Sequence, residues 1–190
     1  MVTPEATVRW GNPDDTQACL ALAILNQERH AQLGVAEAGQ TGFWRWRIGE
    51  AAGGGRVLLG PEGARRVEAW RLIVAEEPVT NPLGLGESAA MAIVGMLVAV
   101  LHGAVREDGE TGPLRCRIDN AYVRPGFRRR GHTHRMVDFL GGWAKMFEVV
   151  NLELQVAKGN ALGRAAWGAL GFEQTAETVE DRFLAMSRRL

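Results

Sequence analysis

Between Trp70 and Val123 three apolar, β-rich runs follow one another, and this succession constrains the fold more than any other feature of the chain. The first centres on Leu72-Ile73-Val74-Ala75, the second runs from Ile93 to Leu101 and the third from Leu114 to Val123. Turn-rich stretches, Pro78 to Glu87 and Glu107 to Pro113, separate them. Short apolar runs rich in β-branched residues and bounded by Gly, Pro and Asp are strand signals, and three in a row predict an antiparallel meander. The period then changes. From His132 to about Phe147, Met136, Phe139, Leu140 and Trp143 recur on one helical face. Val149 to Val156 reads as strand, Asn160 to Leu170 as a helix stopped at Gly171, and Phe183 to Met186 as a last strand. Upstream, Thr7 to Trp10 is a short strand, and Asn12-Pro13-Asp14-Asp15 caps a helix through about Glu28 with Leu20, Ala23, Ile24 and Gln27 at helical spacing. Gly34 to Arg65 is poorly patterned and predicts only a helix somewhere within it; its Trp44 and Trp46 read either as the lining of a substrate entrance or as cover for a core edge. The expected fold is one α/β (α+β) domain over residues 1–190, a mixed sheet with helices on both faces.

The composition narrows the function. A formal charge of +0 and 23% charged residues give no broad attraction to nucleic acid or an acidic membrane, so any phosphate recognition has to be local. Cys19 and Cys116 are the only cysteines, lack CxxC spacing, and read as reduced core thiols; no metal site is expected. Met1 to Trp10 has no apolar core of a secretion signal, and the apolar run Ala89 to Leu101 falls short of the roughly 20 residues a membrane span needs. A cytoplasmic location is the expectation.

The chemistry concentrates where the third strand run meets the following helix, in Val123-Arg124-Pro125-Gly126-Phe127-Arg128-Arg129-Arg130-Gly131-His132-Thr133. The first turn of a helix has N–H groups without internal partners and about half a positive charge from the aligned peptide dipoles, which suits phosphate oxygens. Gly131 removes the Cβ that would hold a diphosphate away, and three arginines add charge-assisted contacts. Taken alone, the run reads equally as a solvated basic turn.

These residues resemble motif A of the GNAT superfamily of acetyl-CoA-dependent N-acetyltransferases, whose pattern is Arg or Gln, two residues, Gly, one residue, Gly or Ala. Arg128, Gly131 and Thr133 take those places, with Thr133 departing from the small third residue. A second block, Asn160 to Phe172, is similar to the family's helix that begins at Asn and ends in Gly-Phe. The two blocks cover Leu114 to the C-terminus; the first hundred residues fit loosely. The resemblance implies a mostly antiparallel GNAT-like sheet and acetyl-CoA as cosubstrate. Its coenzyme contacts would come from Tyr122, Val123 and Arg124 at the strand end, from Arg128, Arg129, Arg130 and Gly131, and from His132, Thr133 and His134 in the first helical turn. Asn160, Arg164 and Trp167 on the later helix complete the set, Asn160 reading equally as a helix N-cap.

An alkyl amine is unprotonated in only about one molecule in two thousand at neutral pH, so acyl transfer to it needs a base. The resemblance places Asp119 where the family's water-mediated base stands; the residues alone allow instead an ion pair with Arg115 or Arg117. A negative oxygen also forms and needs N–H donors, and for these the resemblance points to the backbone near Val123. The family's leaving-group acid, a Tyr, is replaced here by Trp167, and Tyr122 is the one tyrosine left to substitute for it. Two other classes stand beside this one. The Thr133 and Trp167 departures fit a coenzyme-A-binding sensor or partner domain without turnover. Gly84-Leu85-Gly86-Glu87-Ser88-Ala89 matches the loose dinucleotide pattern, but Pro78 and Pro82 interrupt the strand it should follow. The acceptor is an amine, small or peptidic, chosen by the first helix and by the loops Thr41 to Arg65 and Pro78 to Glu87; no nucleic acid or membrane partner is expected, and a homodimer is left open.

Overall fold

The computed structural model describes residues 6–32, 34, 41–54, 66–79, 90–104, 112–175 and 182–190. Seven strands form one sheet: β1 (Thr7–Trp10), β2 (Arg66–Val79), β3 (Ala90–Ala104), β4 (Arg115–Val123), β5 (Asn151–Ala157), β6 (Glu173–Gln174) and β7 (Phe183–Arg189). Their order is β1-β2-β3-β4-β5-β7-β6. The meander is β2-β3-β4, and the mixed, mostly antiparallel sheet is borne out: among the described strands β4 and β5 alone run parallel. A parallel pair requires a crossover, which the amphipathic helix α3 (His132–Lys145) supplies.

Helices α1 (Thr16–Gln32) and α2 (Thr41–Ala52) cover one face, where Leu22, Ile48, Leu72, Met96 and Val98 are buried together. Helices α3 and α4 (Ala161–Ala169) cover the other, over Ile73, Leu97, Met136, Leu140 and Leu152. Alternate residues of β2 and β3 enter opposite clusters, so the middle of the sheet is apolar on both sides. Each such side chain contributes about 1.5–3 kcal/mol on burial. On the α3 side Trp10 meets Phe139 edge-on at 4.8 Å between centroids, tying the first strand to the crossover helix.

The predicted cap of α1 forms as a reciprocal box in a short 3-10 turn: Asn12 accepts from the Asp14 N–H, and Asp15 accepts from the Asn12 N–H. Asp15 also takes both nitrogens of Arg9, at 2.7 and 2.9 Å, and these bonds hold its carboxyl below the usual range.

The structure departs from the sequence reading in length more than in type. β2 runs on through Pro78, expected as turn, which pairs with Met91. The pairing of β1 stops at Thr7↔Glu76, so beyond that point β2 has, among the described residues, a neighbour on one side only, and such an edge tolerates a residue without an N–H. In the poorly patterned segment lies α2, whose buried residues Ile48, Ala51 and Ala52 crowd its last turns while Phe43 and Trp46 stay exposed. No apolar stripe runs its whole length, which is why periodicity did not place it. The Gly84–Ala89 pattern lies outside the described residues. The apolar run expected as strand is β3, and no described helix is long and apolar enough to cross a membrane.

Both thiols are buried in the core, and burial pushes Cys19 and Cys116 up to about 12. The folded protein is expected to give no fast reaction with a disulfide reagent at pH 8, and two thiols per chain once denatured. A fast-reacting thiol in the native state would contradict this packing.

Candidate active site

The register between β3 and β4 steps from Val98↔Asn120 to Ala99↔Ile118, leaving Asp119 as the extra residue of a bulge. Two consecutive side chains thereby reach the α1/α2 face. Asp119 Oδ2 accepts from Arg47 Nη1 of α2 at 2.8 Å and its Oδ1 from Arg117 Nη2 at 3.3 Å. Asn120 Oδ1 accepts from Asn26 Nδ2 of α1 at 2.8 Å. The bulge also resets alternation: Ile118 and Val123 join the α3 side, whereas Tyr122 joins the α1/α2 side, 8% exposed.

The same bulge is where β4 and β5 part. Their pairing spans Cys116↔Leu152 to Ile118↔Leu154 and then ends, although both strands continue, β4 to Val123 and β5 to Ala157. From Asp119 onward β4 stays paired with β3 but on its other side faces a wedge rather than β5. Helix α3 starts from the end of β4 and α4 from the end of β5, so both helix N-termini stand at the mouth of this wedge.

At the mouth the chain makes a short 3-10 turn, Pro125–Phe127, and then two left-handed residues, Arg129 (φ 64°) and Gly131 (φ 80°). A non-glycine residue held there costs about 1–2 kcal/mol, a cost that recurs where backbone amides must converge. Gly131 caps α3 without any side-chain bond, and a Cβ built on it would meet nothing within 4 Å. Among the described residues no acceptor takes the amides of Arg129 to His134; the loop's bonds back onto itself are Phe127 N–H to Arg124 O at 2.9 Å and Arg128 N–H to Pro125 O at 3.3 Å. Arg128 is turned onto the strand end, its Nε donating to Val123 O at 2.9 Å and its guanidinium 5.3 Å from the Tyr122 ring centre. Arg124 buries its Nε with no partner among the described residues, a donor left over at the base of the loop.

The structure thus brings together Tyr122, Val123, Arg124, Arg128 to Gly131 and the first turn of α3. Besides Arg128, several of the expected site side chains are engaged otherwise than as free ligands. The His132 ring is buried, with Nε2 within 2.6 Å of Glu77 Oε1 in a close polar contact rather than a linear hydrogen bond. It can offer the site its backbone N–H, not its imidazole. Asn160 is the N-cap of α4, accepting from the Gly163 N–H at 2.9 Å. Trp167 has a structural reason: α4 ends in a Schellman turn, Phe172 N–H to Trp167 O and Gly171 N–H to Gly168 O, and the two rings close it edge-on at 5.2 Å. His134 reaches Asp138 at 3.3 Å, Thr133 is half-buried in the first turn, and Arg164 is exposed on α4.

The sequence reading missed Glu77, Arg47 and Asn26, each lying on an element far from the motif it supports. Arg47 sits 4.2 Å from the Trp70 ring and 4.7 Å from Phe43, and burial lowers its pKa from the ordinary value. Among the described residues no three His, Cys, Asp or Glu side chains gather in a metal-binding group.

No protein-family model matches the chain. Over 95 residues, half of this chain, it is 28% identical to the aminoglycoside N(6')-acetyltransferase type 1 of an Acinetobacter genomospecies. That match spans 64% of the relative's length. Among solved structures, the PaiA N-acetyltransferase of Thermoplasma acidophilum in complex with coenzyme A superposes with a TM-score of 0.60 at 10% identity, covering 98% of this chain and 100% of that one. An acetyltransferase from Thermus thermophilus gives 0.60 at 16% identity over the whole of both chains.

Proposed function

We propose, for a chain that has the fold of the GNAT acetyltransferases, that it is itself an N-acetyltransferase using acetyl-CoA. The observation that carries the reading is the coincidence, at one end of the sheet, of the β4–β5 wedge with amides from Arg129 to His134 that have no acceptor among the described residues. The diphosphate would lie on those amides, flanked by Arg124, Arg128, Arg129 and Arg130, and the pantetheine arm would run along β4 in the wedge, past Asn160. The amine nitrogen attacks the thioester carbonyl, and the C–S bond breaks as the tetrahedral intermediate collapses. Strand N–H groups near Val123 hold the oxyanion. The amine's proton leaves through water to Asp119, and the departing thiolate takes a proton from solvent, since the indole N–H of Trp167 is far too weak an acid to supply one. For Asp119 to take part, its longer contact, to Arg117, has to yield. Tyr122, packed under Arg128, remains the second candidate proton donor.

The acceptor approaches from the α1/α2 side. Aminoglycosides, peptide N-termini and small polyamines are the amines to try. The test is release of free thiol from acetyl-CoA across such a panel, beside direct measurement of coenzyme binding. Steady thiol release dependent on one amine supports acetyl transfer, and no coenzyme binding at all overturns it. Because both Asp119 oxygens already have arginine partners, a coenzyme-binding sensor is the second reading; coenzyme bound with no thiol released from any amine would favour it.

A further inference from the structure

Glu77 belongs to β2, a strand outside both sequence blocks, yet it reaches the coenzyme loop twice. A register shift between Ala75 and Glu76 resets β2, and Glu77 ends buried with its side chain 11% exposed. Its Oε2 accepts from Arg130 Nη1 at 2.7 Å, and its Oε1 lies 2.6 Å from His132 Nε2. These two partners flank Gly131. Arg135 completes the arrangement from the next turn of α3: its Nη2 stands 3.2 Å from His132 Nδ1 and 3.4 Å from Arg130 O. A guanidinium can only donate, so Nδ1 accepts and the ring proton sits on Nε2, facing the carboxylate. Arg130 is held at its other end by Gly126 O at 3.0 Å. One buried carboxylate thus ties the residue before Gly131 and the residue after it to the sheet.

We infer that Glu77 is a positioning residue for the coenzyme's diphosphate, acting through Arg130 and His132 to keep the amides around Gly131 converged. This rests on the reading of the loop as a coenzyme site. The loop's own bonds hold Arg128 and the Pro125–Phe127 turn, whereas α3 starts at Gly131 without a side-chain cap after a left-handed Arg129; a carboxylate meeting the residues on both flanks of Gly131 ties that stretch to the sheet. A glutamine cannot replace it. Whichever way its amide turns, an NH2 group faces either the Arg130 or the His132 donor.

The experiment measures affinity for coenzyme A and for S-acetylpantetheine, which lacks the diphosphate, in the wild type, Glu77→Gln, His132→Leu and His132→Gln. Glu77→Gln and His132→Leu are expected to weaken coenzyme A binding about tenfold or more while S-acetylpantetheine binding stays within twofold, and KM for acetyl-CoA should rise with kcat at saturation kept. His132→Gln, whose amide still donates toward Glu77, is expected to restore most of the affinity. Equal affinity for coenzyme A in wild type and in either disruptive variant overturns the inference. So does a parallel loss for both ligands, which marks a general structural defect. If one disruptive variant fails to fold, the other is read in the same way; failure of both to fold overturns a purely positioning role. A wild type that binds no coenzyme A at all refutes the acetyltransferase reading itself and is recognised before any variant is compared.

Discussion

Replacing Arg129 by Glu and Gly131 by Asp together is expected to weaken coenzyme A binding by on the order of a hundredfold to ten-thousandfold. Each change turns a contact that favours the diphosphate into a repulsive one. Charge-assisted hydrogen bonds contribute about 1.5–3 kcal/mol each, and two of them give roughly 3–6 kcal/mol, at about 1.4 kcal/mol per tenfold. The fold should survive. Both positions are exposed, and nothing lies within 4 Å of a Cβ at Gly131. The left-handed backbone there costs Asp about 1–2 kcal/mol, a fall of a few degrees in Tm for a domain of this size. Calorimetric titration with coenzyme A beside a melting curve checks both halves. Binding retained within threefold would remove the loop from the site.

The second large effect is expected at Asp119. Asp119→Asn should lower kcat at least tenfold and leave KM for acetyl-CoA nearly unchanged. Proton transfer by a positioned group is worth roughly a hundredfold to ten-thousandfold. The carboxylate meets Arg47 of α2, on the side from which the acceptor is proposed to approach, rather than the arginine loop. Asn keeps an oxygen for Arg47 at the shorter of the two contacts, so α2 should stay anchored to the bulge. Steady-state kinetics with the acceptor found in the amine panel separates the outcomes: an unchanged kcat removes Asp119 from the reaction, and a KM rise alone makes it part of the binding surface.

How far the sequence could be read follows from where each signal is local. The motif around Gly131 is local: strand end, arginines, glycine and helix start are contiguous, so their grouping needed no tertiary knowledge. The Asn160 to Phe172 helix is local too, and its Schellman turn gives Trp167 a packing role that a motif comparison alone cannot supply. The bulge at Asp119 was not legible, because it is a relation between β4 and β3 rather than a property of β4. Without it, the parity of the strand would set Asp119 and Asn120 on opposite faces. Glu77 and Arg47 stayed hidden for the same reason. One reads as an acid at a strand end, the other as one arginine among aromatics, until β2 and α2 are laid against the loop and the bulge. Helix α2 itself was obscured because its burial is confined to its last turns.

The central claim is that a diphosphate sits on the amides that open α3. Backbone amide shifts of isotopically labelled protein, followed while coenzyme A is added, address it most directly. The account expects the largest changes at Arg129, Arg130, Gly131, His132 and Thr133. The contrary result would be changes gathered at the far end of β4 and β5, in the depression of about 610 Å³ lined by Leu114, Arg115, Phe147 and Asn151, with the amides of α3's first turn unmoved.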